Sequence, residues 1–315
     1  GRTVTNEDLS RMVDTSDEWI TTRTGIRTRH YCTEGENAAT LAIAAAKQAL
    51  QRSGLAPADI ACCVCATLSA PDATPSVACQ VQAALGLPEN RPALDINAAC
   101  SGFLYGMAVA RGMLTTLGGQ YALVIGCEAL SRLMDPTDRS TCVLFGDGAG
   151  AAIFRAAEGT GDSSDTGILA TKIYADGSQY DHLCSDGGVS LNQKAGFIHM
   201  DGKEVFKVAI PSLVQGVEES LKIAGININE VDWYVPHQAN LRIIDATARR
   251  MGITADKCMI NIDRNGNTTA ATIPSCLYDY ESQLRKGDNL ILSAFGGGYT
   301  WGAIYVKWAY DGHKE

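Results

Sequence analysis

The chain has 315 residues, 46% of them apolar and 19% charged, with 26 Lys and Arg against 35 Asp and Glu for a formal net charge of -9. It is long enough for two ordinary domains or one large α/β unit, holds no apolar run near the ~18 residues of a membrane span, and lacks the cationic excess of a nucleic-acid surface. The acidic balance makes a small or acidic-neutral substrate the default, and the 11 cysteines, well below the roughly 8–10% of a disulfide scaffold and odd in number, fit a reducing, cytoplasmic setting.

In chain order, residues 37–53 ("NAATLAIAAAKQALQRS") read as an Ala-rich helix stopped by Gly54, and "IACCVCATLS" as a buried strand. Cys62, Cys63 and Cys65 lie in that run without a partner C-x-x-C or a nearby His, so they read as packed thiols and no metal site is expected. A helix from Ser76 to Leu85 follows, then a strand at "ALDIN", a helix after Cys100, the strand "YALVIGCE" and the apolar run "GAGAAIF". The second half continues with a strand at "ILATKIYA", a long helix over 203–224 kinked at Pro211, the strand "DWYVPH" and the helix "ANLRIIDATARRM". "CMINID", a helix over 269–286, "NLILSAF" and "TWGAIYVKW" complete the chain. This alternation predicts an α/β fold.

The halves also resemble one another. "SGLAPADIACCVCAT" (53–67) lies on "AGININEVDWYVPHQ" (224–238), "LGLPENRPALDINAACSG" (85–102) on "MGITADKCMINIDRNGNT" (251–268), and "FGDGAGAAIF" echoes "FGGGYTWGAIY". The common order predicts a duplication related by a pseudo-twofold axis, with halves at 1–160 and 161–315. The second alignment sets Cys100 opposite Gly266, beside Asn267. Ligands of open α/β sheets bind beyond the carboxyl ends of strands, so Cys100, His237 and Asn267 are expected to converge between the halves.

Cys100 sits in "DINAACSGF" between a strand and a helix, with the small neighbours Ala98, Ala99, Ser101 and Gly102. A helix N-terminus favours a thiolate nucleophile there, although a small buried Cys is an equally good local reading. His237 in "VPHQAN" could be a hydrogen-bonded structural residue and Asn267 in "RNGNTTAA" a turn former. Together with Cys100 they form a catalytic candidate set. The glycines of "AFGGGYTWG" offer backbone N–H donors for an oxyanion or relief of crowding between the halves. "GDGAG" is followed by a strand-like run rather than a helix, so it is not a dinucleotide fingerprint.

Nearly end to end, through "MVDTSDEWITTRTGIRTRH", "DINAACSGF", "DPTDRSTCVLFGDGAGAA", "VDWYVPHQANLRII", "RNGNTTAATIP" and "AFGGGYTWG", the chain resembles the β-ketoacyl-acyl carrier protein synthase III family of the thiolase-like superfamily. The resemblance implies a homodimer of αβαβα units. It implies the initiating condensation of type II fatty-acid synthesis, in which a short acyl-coenzyme A, acetyl-coenzyme A in the simplest case, loads a cysteine. That acyl group then condenses with malonyl-acyl carrier protein, giving 3-oxoacyl-acyl carrier protein, coenzyme A and carbon dioxide. Coenzyme A is a substrate and no separate cofactor is implied.

On the same resemblance Cys100 is the nucleophile, His237 and Asn267 bind the malonyl thioester carbonyl, and the N–H groups of Cys100 and Gly297 hold the oxyanion. Trp19 and Arg139 sandwich the adenine of coenzyme A, while Arg23, Gly202, Phe206 and Asn240 follow its phosphates and pantetheine arm. Thr74, in "SAPDATPSVACQ", stands on the loop that a partner subunit would contribute to the acyl pocket. Lys207, Arg242, Arg249 and Arg250 are candidates for docking the acidic carrier protein.

"SAFGGGY" lacks the second cysteine of degradative thiolases, and Asn267 stands where elongating synthases have a second histidine. A specialised acyltransferase on this scaffold is the main rival. A papain-like hydrolase would set its His and Asn to orient one another, and a silent scaffold would leave the thiol unreactive. Members of the family begin with a strand ahead of "VTNEDLSRMVDTSDEW", and "ILATKIYA" has no first-half counterpart. The first half is therefore expected to lack its first strand, as in an N-terminal fragment.

Overall fold

A computed structural model describes residues 1–162 and 164–312. Strands β1 (Arg2–Thr5) and β2 (Thr28–Tyr31) form an antiparallel pair flanking two short helices, α1 (Asn6–Ser10) and α2 (Asp17–Thr24). Helix α3 (Ala38–Ser53) starts where the Asn37 side chain accepts the Thr40 N–H at 3.0 Å and ends at Gly54, with φ 67. The first half continues through β3 (Ile60–Ala66), α4 (Val77–Leu85), β4 (Ala93–Ile96), α5 (Gly102–Leu117), β5 (Tyr121–Ala129), α6 (Arg139–Cys142) and β6 (Asp147–Arg155). The second comprises β7 (Gly167–Ala175), β8 (Leu183–Ser185), β9 (Ile198–Met200), α7 (Gly202–Ala224), β10 (Trp233–Pro236), α8 (Leu241–Met251), α9 (Ile262–Asn265), α10 (Thr272–Tyr280), β11 (Asn289–Gly296) and β12 (Thr300–Lys307). Pro211 lies within α7, which runs as one helix through it.

Two four-stranded sheets run in the orders β4-β3-β5-β6 and β10-β11-β12-β7. The last two strands of the duplicated set, β5–β6 and β11–β12, pair antiparallel, whereas β3–β4, β3–β5 and β10–β11 are parallel. Among the described residues β6 has no counterpart of β7 beside it, and the counterpart of β4 is a single bridge between Tyr234 and Cys258.

Alternation within the strands sorts the core into layers. Cys62, Val64, Ala122 and Val124 meet Leu104, Met107, Leu292 and Ile273 in a central core built on α5 and α10. Cys63, Cys65, Leu123 and Ile125 face the other way, against Ala42 and Ala46 of α3 and Val81 of α4. Val217 and Leu221 of α7 and Ala248 of α8 cover the far side of the second sheet. The result is αβαβα. Strands apolar on both faces are what a sheet between two helical layers requires. The cysteine run packs those faces: Cys62, Cys63 and Cys65 are buried, and the Cys65 and Cys127 sulfurs lie 3.4 Å apart.

Candidate active site

The chain leaves β4 and enters α5 through a tight turn. Ala99 has φ 45, residues Ala99–Ser101 form one turn of 3-10 helix, and α5 begins at Gly102. Cys100 sits inside this turn and is buried, at 7% exposure. The second half supplies its supports. Thr300 Oγ1 donates to Ala98 O at 2.8 Å and Ser101 Oγ donates to Thr300 O at 2.9 Å. A Cβ added at Gly296 would lie 2.6 Å from Cys100 N, so this glycine of the run relieves crowding between the halves.

The matching turn of the second half is Thr269–Ala271, with φ 47 at Thr269, followed by α10 at Thr272. Its neighbour is Gly126 of β5, where an added Cβ would run into Ala270 O. By geometry Cys100 therefore corresponds to Ala270, and the sequence pairing with Gly266 is four residues out of register. The cause is α9, a single helical turn that has no equivalent after β4. Asn267 still reaches the site, because its N–H bonds Leu144 O at 2.9 Å and its C=O accepts from Gly146 N at 3.0 Å.

His237 follows β10 directly. Its N–H bonds Ser293 O at 2.7 Å, and the next residue, Gln238, spans to Met259 O and to the N–H groups of Asn261 and Ile262. Cys100, His237 and Asn267 all line one cavity of about 140 Å³, whose walls are mostly apolar and include Leu213, Ile244 and Phe295. Thr269 N–H donates to Asn267 Oδ1 at 2.8 Å, which leaves the Asn267 amide nitrogen as the free end. His237 Nδ1 lies 2.6 Å from Thr272 Oγ1, and Nε2 is buried without a partner among the described residues. Burial lowers the imidazole pKa to about 3, so the ring is neutral.

The thiol departs from the expectation of a helix-activated thiolate. Burial, with a smaller contribution from Glu128, pushes Cys100 up to about 12, and the favourable backbone N–H offsets only part of this. At this buried position desolvation outweighs the helix end.

Gly202, Phe206 and Asn240 line the same cavity. Asn240 also caps α8, accepting the Arg242 N–H at 2.9 Å. Gly297 is next to the nucleophile turn, with an added Cβ 3.7 Å from Ala99 Cβ. Trp19 carries two guanidiniums, Arg23 at 4.7 Å and Arg139 at 4.8 Å from its ring centroid, and Arg139 also donates to Asp14 O at 2.8 Å. Thr74 is exposed and does not line the cavity of its own chain. Arg242 stacks over Phe206 at 5.9 Å, and Lys207 pairs with Glu204 at 3.2 Å. Arg242 and Arg249 are exposed two turns apart on α8 with Asp245 between them, whereas Arg250 turns toward a separate groove with Lys222 and Glu218.

Sequence reasoning missed Thr272, which touches His237, and Glu128, a fully buried carboxyl at the end of β5. Thr269 gave no signal because its φ 47 is a conformation that usually selects Gly or Asn. Thr272 differs from other helix-start threonines only through a contact 35 residues away in sequence.

A doubled α/β fold that brings a cysteine turn of one half against His and Asn of the other defines a thiolase-like enzyme. Residues 94–177 match the family model 3-oxoacyl-[acyl-carrier-protein] synthase III, and residues 221–308 match its C-terminal companion. The chain is 46% identical over 309 residues to the beta-ketoacyl-[acyl-carrier-protein] synthase III of Rhodospirillum centenum, covering 98% of this chain and 95% of that one. It superposes on the crystal structure of 3-oxoacyl-[acyl-carrier-protein] synthase III from Aquifex aeolicus with a TM-score of 0.90 at 43% identity, covering 98% and 96% of the two chains. A priming β-ketosynthase of the R1128 polyketide pathway gives 0.90 at 30% identity, over 98% and 92%. This chain belongs to the β-ketoacyl-acyl carrier protein synthase III family of condensing acyltransferases.

Proposed function

We propose that the chain catalyses the initiating condensation of type II fatty-acid synthesis through an acyl-Cys100 intermediate. The thiol adds to a short acyl-coenzyme A, acetyl-coenzyme A by this reading, and the acyl group moves to sulfur. Coenzyme A leaves as its thiol, carrying the proton that Cys100 gave up. Malonyl-acyl carrier protein then enters. Its carboxylate leaves as carbon dioxide, the bonding pair passes into the thioester as an enolate, and the enolate carbon attacks the acyl carbon and releases the Cys100 sulfur. The freed Cys100 thiolate takes up one proton from solvent, so the two thioester substrates and that proton give 3-oxoacyl-acyl carrier protein, coenzyme A and carbon dioxide.

The observation that carries this reading is the shared cavity: the Cys100 turn faces His237 Nε2 and the Asn267 amide, two polar ends in an apolar chamber. Charge develops on the malonyl carbonyl oxygen during decarboxylation, and donors in a dry site act most strongly on such charge. His237 and Asn267 would hold that oxygen, and the N–H groups of Cys100 and Gly297 the oxyanion of acyl transfer. A hydrolase-type triad is less favoured, because His237 Nδ1 is partnered by Thr272 and Asn267 Oδ1 by Thr269 N–H rather than by each other.

Gly202, Phe206 and Asn240 would guide the pantetheine arm, with Arg23 near the phosphates. Adenine would stack on Trp19, provided Arg139 swings from its present place over the ring to close on the base. Two halves, 1–160 and 161–315, a homodimer in the cytoplasm, and Thr74 reaching the acyl pocket of a second copy complete the reading.

Single-turnover transfer of radiolabelled acetyl, followed beside carbon dioxide release from malonyl-carrier protein, tests it. Cys100→Ser should lose loading, since a hydroxyl is the weaker nucleophile by far. Asn267→Ala should load, yet lose decarboxylation by roughly 10²–10³, the cost of one oxyanion donor. If Asn267→Ala stops loading and leaves decarboxylation intact, the assignment of roles falls.

A further inference from the structure

The two groups facing the cavity from the second half are held by one turn. Asn267 Oδ1 takes the Thr269 N–H, and His237 Nδ1 meets the Thr272 hydroxyl. Thr269, with φ 47, is the residue through which the chain folds back between them. A neutral imidazole carries one ring hydrogen, so only one nitrogen donates, and the partner of the other nitrogen decides which.

Thr272 likewise has one hydroxyl hydrogen and two acceptors in reach, His237 Nδ1 at 2.6 Å and Thr269 O at 3.1 Å. If the hydrogen goes to the carbonyl, Nδ1 must carry the ring hydrogen. Nε2 then presents a lone pair to the cavity, which would repel an enolate oxygen. If it goes to Nδ1, Nε2 carries the hydrogen and stands beside the Asn267 amide as a second donor. Two observations favour the latter. The contact to Nδ1 is the shorter by half an ångström, and Thr269 O already accepts the Thr272 backbone N–H in the 3-10 turn, so it does not depend on the hydroxyl.

We propose that Thr272 is a positioning residue whose hydroxyl donates to His237 Nδ1 and holds His237 in the Nε2–H tautomer facing the malonyl carbonyl. This deepens, and rests on, the role given to His237 in the proposed function. The turn 267–272 then sets both donors, fixing the amide orientation of Asn267 with a backbone N–H and the tautomer of His237 with a side chain.

The test is nitrogen NMR of the full chain labelled with ¹⁵N-histidine, without substrate, the His237 signals being assigned by their loss in His237→Gln. In the wild type Nδ1 should show the shift of an unprotonated nitrogen and Nε2 that of an N–H. Thr272→Val, close in shape but without the hydroxyl, should shift hydrogen toward Nδ1. It should also slow condensation on the order of 10- to 100-fold, less than outright removal of a donor, with loading slowed by less. Thr272→Ser should restore both tautomer and rate. A wild-type spectrum with the hydrogen on Nδ1 overturns the proposal whatever the variants do, as does a folded Thr272→Val that keeps the wild-type tautomer and condensation rate. Nε2–H in a wild-type chain that neither loads nor condenses would support the assignment of Thr272 and remove the functional reading instead.

Discussion

Glu128 shows how much one buried side chain can set. It lies at 0% exposure where β5 ends, and accepts from Ser69 Oγ at 2.5 Å, from Thr67 Oγ1 at 3.3 Å and from the Leu68 N–H at 3.2 Å, tying the exit of β3 to β5. Burial raises its pKa from 4.5 to about 7, against the lowering effect of those donors. A raised carboxyl pKa means that the folded state keeps a proton which the unfolded chain gives up. Its contribution is therefore undiminished below pH 4.5 and is lost as pH rises through about 7. Glu128→Gln removes this dependence. The stability difference, variant minus wild type, should move in favour of the variant by on the order of 3 kcal/mol between those limits and then level off. Denaturant melts of both proteins across that range would show it, and a difference independent of pH would mean that the carboxyl ionises normally in its donor network. The same burial governs Cys100, whose thiol it pushes up to about 12.

Elements whose order comes from their own residues could be read from the chain. Helix α3, with its Asn37 cap and Gly54 stop, and β3, apolar on both faces, are local statements, as are α4, α7 and α8. The pairs β1–β2 and β8–β9 were not legible. Strands of three and four residues are held by their partners and carry no periodicity of their own. At the site, Cys100, His237 and Asn267 stood out by type and by motif. The turn geometry did not, because the left-handed φ at Ala99 and Thr269 is imposed by packing between the halves rather than invited by the residue. That packing makes a prediction. Gly126 and Gly296 each lie under the turn of the opposite half, Gly126 against Ala270 and Gly296 against Cys100. Gly126→Ala drives a methyl into the backbone at Ala270, where no side chain can yield, and should cost ~3 kcal/mol or more. Gly112→Ala, in the exposed middle of α5 with nothing within 4 Å of the added Cβ, should instead stabilise by ~0.5–1 kcal/mol. Equal melting shifts for the two variants would show that the turn contact is not rigid.

For the whole molecule the question is how an acidic protein, at a net charge of -9, receives an acidic carrier protein. Like-signed net charges oppose long-range approach, so docking must depend on a local field strong enough to reverse that within about a Debye length, ~8 Å at physiological salt. Lys207 is half committed to Glu204, and Arg250 looks into a different groove. That leaves Arg242 and Arg249 on one face of α8, with Asp245 diluting them; Arg242 reaches the cavity rim through Phe206, and Arg249 stands two turns further out. Arg249 thus has no part in the cavity wall, and reversing its charge should alter encounter rather than chemistry. Arg249→Glu is expected to lower kcat/KM for malonyl-carrier protein about tenfold at low ionic strength, chiefly through KM, and by less as salt is added, because a rim charge acts mainly on the association rate. Loading from acyl-coenzyme A should fall far less, since on the proposed reading that ligand would be held by cavity and stacking contacts instead. Asp245→Asn should shift carrier-protein kinetics the opposite way by the same logic. Steady-state kinetics with both substrates over a salt series would decide it, and equal losses on carrier protein and coenzyme A thioester, insensitive to salt, would move the docking surface off α8.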